Sequence, residues 1–423
     1  MRGGAADRAA DADTDVAVVG AGAAGQMAAL AAAEAGARVV VLEQMDRAGL
    51  KVLASGGGRC NLSRLVSAGE FQAAFGRQGR FTAPAFDALG PEALRRLLER
   101  LGVETVVAEG GGVYPASGRA ADVQAALARR LEQLGVAVRL GEAAGGLWID
   151  DGRLRGVQLA GGRGVGARRV VLACGGRSWP KLGGTGGGYA LAAQAGHEVT
   201  PLCPALVPLA TRERWPARLA GVSVRAARVR IDRRGEDKAG RTGDLLFTHR
   251  GVSGPAVLDL SGRVAELLVK GPVTLRVELA AGADAAEWAR RLDGWRGASG
   301  RRTVLNLLDE HLPRSLCAVL CELAGVAGEV PAAQLAKAAA DKLAGLLGGL
   351  GLTVAASEGF DVAFVTRGGV KLRQVDPSAL ASRLLAGLYL AGELLDLDGP
   401  SGGYNLQWAL ASGWLAGRSA AGR

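Results

Sequence analysis

The stretch that most constrains what this chain can fold into is residues 15–44, DVAVVGAGAAGQMAALAAAEAGARVVVLEQ. A run of β-branched and small residues at 16–19 reads as a buried parallel strand. Gly20, Gly22 and Gly25 then spell G-x-G-x-x-G, an Ala-rich run predicts a helix, and a second apolar strand at 38–42 ends at Glu43. Each part has a physical role. Gly20 permits the tight turn off the strand, Gly22 lets a pyrophosphate approach the backbone, and Gly25 lets helix pack on strand. The helix start offers unpaired N–H groups and the positive end of its dipole to the phosphates. Glu43, at the tip of the second strand, is placed to accept both ribose hydroxyls. A merely buried Ala/Gly-rich helix would leave Glu43 unexplained, so the stretch predicts dinucleotide binding.

An apolar fraction of 49% with 22% charged residues is that of a globular chain, and the length allows two or three domains. Glycines, a phosphate loop or turns interrupt the longest apolar stretches, so no membrane span is expected. Residues 1–14 mix both charge signs without an apolar segment, which predicts a disordered tail rather than a signal peptide, and a cytoplasmic location. The formal net charge of +10 has two readings. One is a nucleic-acid or acidic-ligand surface; the other is arginine scattered by a coding bias toward Ala, Gly and Arg. No block of like charge and no aromatic interleaving is present, which favours the second. The cysteines Cys60, Cys174, Cys203, Cys317 and Cys321 form no C-x-x-C pair, and the three histidines stand far apart. Neither a disulfide framework nor a metal site is expected.

Beyond Glu43, Lys51 leads into KVLASGGGRCN, where Gly56, Gly57 and Gly58 stand beside Arg59, Cys60 and Asn61. Three glycines with polar neighbours and apolar flanks predict a loop wrapped around a cofactor rather than a plain surface loop. Residues 84–140 alternate helical and extended patterns, which predicts βαβ continuation of the same sheet. An antiparallel meander follows, with turns at Asp151-Gly152 and Gly161-Gly162. The apolar strand at 170–173 closes on Ala173-Cys174-Gly175-Gly176, a second backbone approach to the ligand that an NAD-only dehydrogenase does not need. From 199 to 283, short alternating strands, among them GDLLFTHRGVSGPAVLDLS, predict a barrel-like insertion. Residues 284–354 read as its helical part, and 355–423 as a return to the domain begun at 15–198. There a strand ends in Gly392-Glu393, and Gly402-Gly403-Tyr404-Asn405 opens an Ala-rich helix. A positive helix end at that point would stabilise a reduced flavin's N1–C2=O edge.

Taken together, GAGAAG with Glu43, KVLASGGGRCN, CGGRSWPKLGGTGGGYALAAQAGH, LLFTHRGVSGPAVL and GLYLAGELLDLDGPSGGYNLQWALASGWLAG resemble the BaiN/RdsA (YhiN-type) family of FAD-dependent flavoproteins, which includes aminoacetone oxidase. The resemblance covers about 15–418, and its GGGRCN and GGYNLQWA blocks are distinctive. It implies an α/β fold: a Rossmann-type FAD-binding domain of the two-dinucleotide-binding flavoprotein superfamily, with an inserted β-barrel-like and helical domain. It also implies that FAD is held by five blocks. The first is Gly20, Gly22, Ala23, Ala24 and Gly25 with Glu43 and Gln44; the second is Lys51, Gly57, Gly58, Arg59, Cys60 and Asn61. Ala173, Cys174, Gly175 and Gly176 form the third, Gly392 and Glu393 the fourth, and Gly402, Gly403, Tyr404, Asn405 and Leu406 the fifth. The chain departs from the family pattern at Cys174, where Thr is usual, at Trp179, where Tyr is common, and at Arg250, where Trp is frequent.

The expected function is that of an FAD-dependent oxidoreductase exchanging a hydride between flavin N5 and a small organic substrate, by amine oxidation or C=C reduction. NAD(P)H or oxygen is the candidate second redox partner. Candidate catalytic residues are His249 and Ser253, in the barrel loop THRGVSGP, and Tyr404; a histidine there is a candidate acid or base. The alternative is a basic flavoprotein that binds or acts on RNA. A plain NAD-dependent dehydrogenase accounts for neither the second glycine approach nor the C-terminal strand–loop–helix.

Overall fold

The computed structural model describes residues 14–327 and 329–422; apart from Thr14, the tail expected at 1–14 lies outside them. Two units divide the chain, one running to Leu202 and again from Val365 onward, the other comprising Cys203–Phe364.

A seven-stranded sheet organises the first unit. Its order is Val375–Asp376, Ala381–Ser382, Leu388–Leu390, Arg169–Leu172, Val16–Val19, Val39–Glu43, Ala137–Leu140. The strands from Leu388–Leu390 through to Ala137–Leu140 are parallel. Val16–Val19 is buried along its whole length, which is why it reads as an unbroken apolar run instead of alternating. From that strand the chain crosses to Val39–Glu43 on one side and returns as Arg169–Leu172 on the other. A crevice at such a reversal, beyond the carboxyl ends of the strands, is where open α/β sheets bind ligands.

Two helices on this sheet fix the distances along the crevice. The first, Ala23–Glu34, and the C-terminal one, Tyr404–Ala420, pack side by side with almost nothing between them. A Cβ on Gly413 would lie 2.1 Å from the Ala24 carbonyl oxygen, and one on Gly417 2.1 Å from that of Ala28. The matching four-residue steps make the helices parallel. Gly413 is nine residues into its helix and Ala24 one residue into its own. The C-terminal helix therefore begins eight residues, roughly 12 Å, ahead of the first.

One sequence expectation fails in this unit. The stretch after Val103 does not continue the main sheet: Thr105–Val107 pairs antiparallel with Gly112–Pro115, which pairs with Ser63–Arg64, in a separate three-stranded sheet. Residues 106 and 107 are exposed, and so short, half-solvated a strand has no apolar run to bury at the centre of a parallel sheet. Gly110 and Gly111, both at positive φ, make the turn of this hairpin. The expected meander is present as Ala144–Asp150, Arg153–Leu159 and Gly164–Gly166.

In the second unit six strands close into a barrel, in the order Leu209–Thr211, Gly251–Ser253, Arg241–Phe247, Ser223–Ile231, Val273–Glu278, Leu350–Ser357. Leu350, Leu352 and Val354 alternate inward, and their strand pairs with Val273–Glu278 on one side and Leu209–Thr211 on the other. That strand closes the barrel, so the return to the first unit comes at Val365 rather than at 355. The expected strand through GPAVLDLS is a helix, Pro255–Leu268. Pro255 occupies its first turn, where no N–H is needed, after Gly254 turns the chain at φ 91°. Between the last two barrel strands lie the helices Ala285–Ala298, Arg314–Ala324 and Lys337–Gly349, with Trp288, Leu316, Cys317, Cys321 and Leu343 in their core.

Candidate functional site

All of the backbone turns expected to meet a dinucleotide belong to the first unit and lie at or beyond the carboxyl ends of its strands. At the first turn Gly20 has φ 101°, and a Cβ there would stand 2.6 Å from the Ala173 carbonyl oxygen. A Cβ on Gly25 would lie 1.8 Å from the Gly20 carbonyl oxygen, whereas one on Gly22 would meet nothing within 4 Å. Gly25 is thus required for packing, and Gly22 opens onto free space. Glu43 is buried, and its carboxylate accepts from the Ala21 N–H at 2.6 Å and the Met45 N–H at 2.9 Å. These bonds hold the acid against the turn. Gln44 is exposed and reaches across to the glycine-rich loop, donating to the Gly183 carbonyl at 2.8 Å.

The second turn follows the short helix Leu50–Ala54. Gly56, Gly57 and Gly58 all have positive φ, as does Cys60 at 60°. Cys60 is fully buried, and burial pushes its thiol up to about 11. The Asn61 Oδ1 atom is buried without a hydrogen-bond partner among the described residues. It lies 2.9 Å from the Cβ position of Gly403, at the start of the C-terminal helix.

At the third turn Ala173 continues the sheet by donating its N–H to the Val19 carbonyl at 2.9 Å. Burial, with the Glu43 carboxylate nearby, drives the Cys174 thiol up to about 12. Both thiols are therefore protonated, inert packing groups at neutral pH. A Cβ on Gly175 would meet open space, while one on Gly176 would stand 2.5 Å from Glu393 Oε1 and 2.4 Å from Thr366 Oγ1.

Those two atoms belong to a buried polar hub. Glu393 Oε1 accepts from the Ser178 hydroxyl and the Thr366 N–H, each at 2.8 Å, and Oε2 accepts from Lys51 Nζ at 2.6 Å. Lys51 also donates to Ser178 Oγ at 2.6 Å, and Thr366 Oγ1 accepts from the N–H groups of Arg177 and Ser178. One carboxylate thus fastens the helix before the GGGRCN loop, the loop after Gly176, the strand Val365–Arg367 and the C-terminal turn. Tyr189 packs beside the hub, where burial and the carboxylates of Glu393 and Asp396 hold its phenol above the ordinary range.

At the fourth turn Gly402 and Gly403 have φ 98° and 101° and precede a helix with no side-chain cap. The Tyr404 ring stacks on Phe71 at 5.8 Å between centroids and meets Phe75 edge-on. Asn405 folds the approach: its Oδ1 accepts from the Gly399 N–H and its Nδ2 donates to the Gly399 and Pro400 carbonyls. Leu406 packs against the core.

These features fit an FAD. The open cradle at Gly22 and Gly175, the acid beside the first turn and the unpartnered Asn61 Oδ1 beside the C-terminal helix supply acceptors, free backbone and space where a dinucleotide needs them. His249 and Ser253 belong to the second unit instead. His249 is exposed in the turn between Arg241–Phe247 and Gly251–Ser253, and Ser253 is buried opposite Leu246. Ser178, Thr366 and Arg64 escaped the sequence reading. Each is an isolated polar residue, and no local pattern distinguishes it before the fold brings its partners near. Among the described residues no cluster of three or more His, Cys, Asp or Glu side chains suits a metal ion, and no helix is long and apolar enough to cross a membrane.

The family described as HI0933-like protein Rossmann domain matches residues 14–419. The 3-dehydro-bile acid delta(4,6)-reductase of Clostridium scindens is 35% identical over 412 residues, covering 96% of this chain and 99% of that protein. The ribosomal RNA dihydrouridine synthase of Escherichia coli is 31% identical, covering 95% of this chain and 96% of that protein. Among solved structures, the 3-ketosteroid delta1-dehydrogenase of Sterolibacterium denitrificans aligns with a TM-score of 0.55 at 15% identity, covering 97% of this chain and 99% of that one. At that identity the likeness is one of fold.

Proposed function

This chain belongs to the HI0933-like Rossmann-domain family, and from that premise we propose that it is an FAD-dependent oxidoreductase that saturates a C=C bond conjugated to a carbonyl. The observation that carries this reading is the chemistry shared by the two relatives' names. A delta(4,6)-reductase acting on a 3-dehydro steroid and a dihydrouridine synthase both add two hydrogens across a C=C conjugated to a C=O. Such a bond is polarised: the β-carbon accepts a hydride and the α-carbon then accepts a proton. FAD, when bound, supplies the hydride.

The chain's own residues hold and orient. Residues 20–25 and Glu43 take the pyrophosphate and ribose end, with the first helix's N-terminus facing the phosphates. Asn61, Gly402 and Gly403 take the ring end, roughly 12 Å further along the crevice by the helix offset. Glu393, Lys51, Ser178 and Thr366 keep the intervening turns in register. Tyr404, in this unit, is the candidate proton donor.

The test is an anaerobic titration of the holoenzyme with NADH and NADPH, followed by a 3-oxo-4,6-dienoic bile acid. Bleaching of the flavin by the nicotinamide and recovery of its colour with the dienone are the expected results. A flavin bleached instead by an amine, with no recovery on the dienone, refutes the reading in favour of amine oxidation. A second reading, reduction of uracil in RNA, is favoured by the Escherichia coli relative. Its signature is the mass of two added hydrogens on a uridine of RNA incubated with the reduced enzyme.

A further inference from the structure

We infer that Arg64 is a specificity-determining residue that binds an anionic group, carboxylate or phosphate, of the substrate. The inference rests on the proposed reduction of a conjugated C=C, and names the charge class of the molecule that carries it.

Arg64 ends the short strand Ser63–Arg64, is only partly exposed, and has no ion pair or side-chain hydrogen bond among the described residues. Two other cations of this unit are paired. Lys51 is bound by Glu393, and Arg367 makes a two-pronged pair with Asp398 at 3.2 Å. An arginine cannot shed its charge, and a partly desolvated guanidinium with no counter-ion carries a penalty that an anion removes.

Glycine keeps the surroundings of that guanidinium open. Nη1 stands 3.2 Å from the Cβ position of Gly402 and Nη2 3.8 Å from that of Gly110, and the Arg64 stem passes Gly111. Strand pairing fixes this placement, because Arg64 lies opposite Gly112 and the Leu65 N–H donates to the Gly111 carbonyl at 2.7 Å. Arg59, from the GGGRCN loop, lays its guanidinium 5.5 Å from the Tyr114 ring centroid, one strand position from Val113. It adds a second cation to this side of the unit.

The cofactor's own phosphates are not the anion in question. They belong at the start of the first helix, and the parallel packing of Gly413 on Ala24 and Gly417 on Ala28 sets the C-terminal helix start roughly 12 Å away from it. Arg64 touches Gly402, at that far end. It therefore faces the region where substrate, not pyrophosphate, is expected.

The test uses the FAD-loaded enzyme and its Arg64→Gln and Arg64→Lys forms. Binding is measured by calorimetry for a 3-oxo bile acid, for its uncharged methyl ester, and for a 5′-phosphorylated uridine oligonucleotide; turnover is measured separately. The expected result in Arg64→Gln is a loss of roughly 10- to 100-fold in affinity for whichever anionic probe the wild type binds, as for a lost charge-assisted hydrogen bond. The ester's affinity, the maximal rate and the FAD affinity stay unchanged, and Arg64→Lys recovers part of the loss. An acid-specific effect identifies a carboxylate, an oligonucleotide-specific one a phosphate. Equal losses for acid and ester, a drop in FAD affinity, or no Arg64-dependent binding of either anion overturns the inference. A wild type that binds the acid through Arg64 without reducing it refutes the proposed reaction and leaves the anion site standing.

Discussion

Replacing Glu393 separates a strut from a ligand. In Glu393→Ala the Thr366 N–H loses its acceptor and the Ser178 hydroxyl loses one of its partners, both groups being fully buried. Each unsatisfied buried group costs about 1–3 kcal/mol. The Lys51 ammonium is one-third exposed and can turn to water, so its contribution is discounted to well under that of a buried ion pair. The expected loss is about 3–4 kcal/mol of stability in the FAD-free protein. Glu393→Gln isolates one contact, because Lys51 meets Oε2 while Ser178 and Thr366 meet Oε1. With its amide oxygen kept at the Oε1 position, Lys51 loses this carboxylate and keeps Ser178 Oγ, at a cost of about 1 kcal/mol. Urea unfolding of the FAD-free proteins measures both, and FAD titration of each variant shows whether the disordered turns also weaken cofactor binding. If Glu393→Ala left the FAD-free protein as stable as the wild type while abolishing FAD binding, Glu393 would be a cofactor ligand and the strut argument would fail.

His197 is buried, and its Nε2 meets the Ser382 hydroxyl at 2.8 Å. That hydroxyl already accepts from the Leu384 and Leu385 N–H groups, so its one proton goes to Nε2 and the ring is neutral. Burial lowers the pKa of His197 from its ordinary value of 6.5. Its contribution to stability is thus complete above pH 6.5 and falls below it, with a slope of at most about 1.4 kcal/mol per pH unit; urea midpoints of wild type and His197→Gln should converge on acidification, and parallel profiles would refute the assignment. Gly413→Ala should cost about 1–3 kcal/mol by overpacking against the Ala24 carbonyl, and weaken FAD binding by shifting the two helix starts; an unchanged FAD affinity would show that the offset is not critical. Tyr404→Phe should lower the maximal rate by about 100-fold or more if the hydroxyl is the proton donor, with FAD affinity and flavin reduction unaltered; an unchanged rate refutes that role.

What the sequence determines here is local. Gly20, Gly22, Gly25 and Glu43 are legible because one turn, one helix start and one strand end place all their demands within a single βαβ unit. The parallel strands are legible because burial on both faces makes them continuously apolar, as Val16–Val19 shows. Barrel character between 199 and 283 is legible from alternation, as in Ser223–Ile231. What only the tertiary structure decides is long-range. The closing barrel strand Leu350–Ser357 lies 72 residues beyond its partner strand, with a helical stretch between, and nothing near it in sequence says which sheet it joins. Thr105–Val107 has the composition of a strand but leaves the main sheet, because its side chains have no second buried face to fill. Glu393 is separated from Lys51 by 342 residues and from Ser178 by 215, so its role as a strut appears only when four glycine turns meet. Arg64 is the same case in reverse. A free guanidinium is defined by carboxylates that are not near it, and distance in space, not spacing in sequence, decides that.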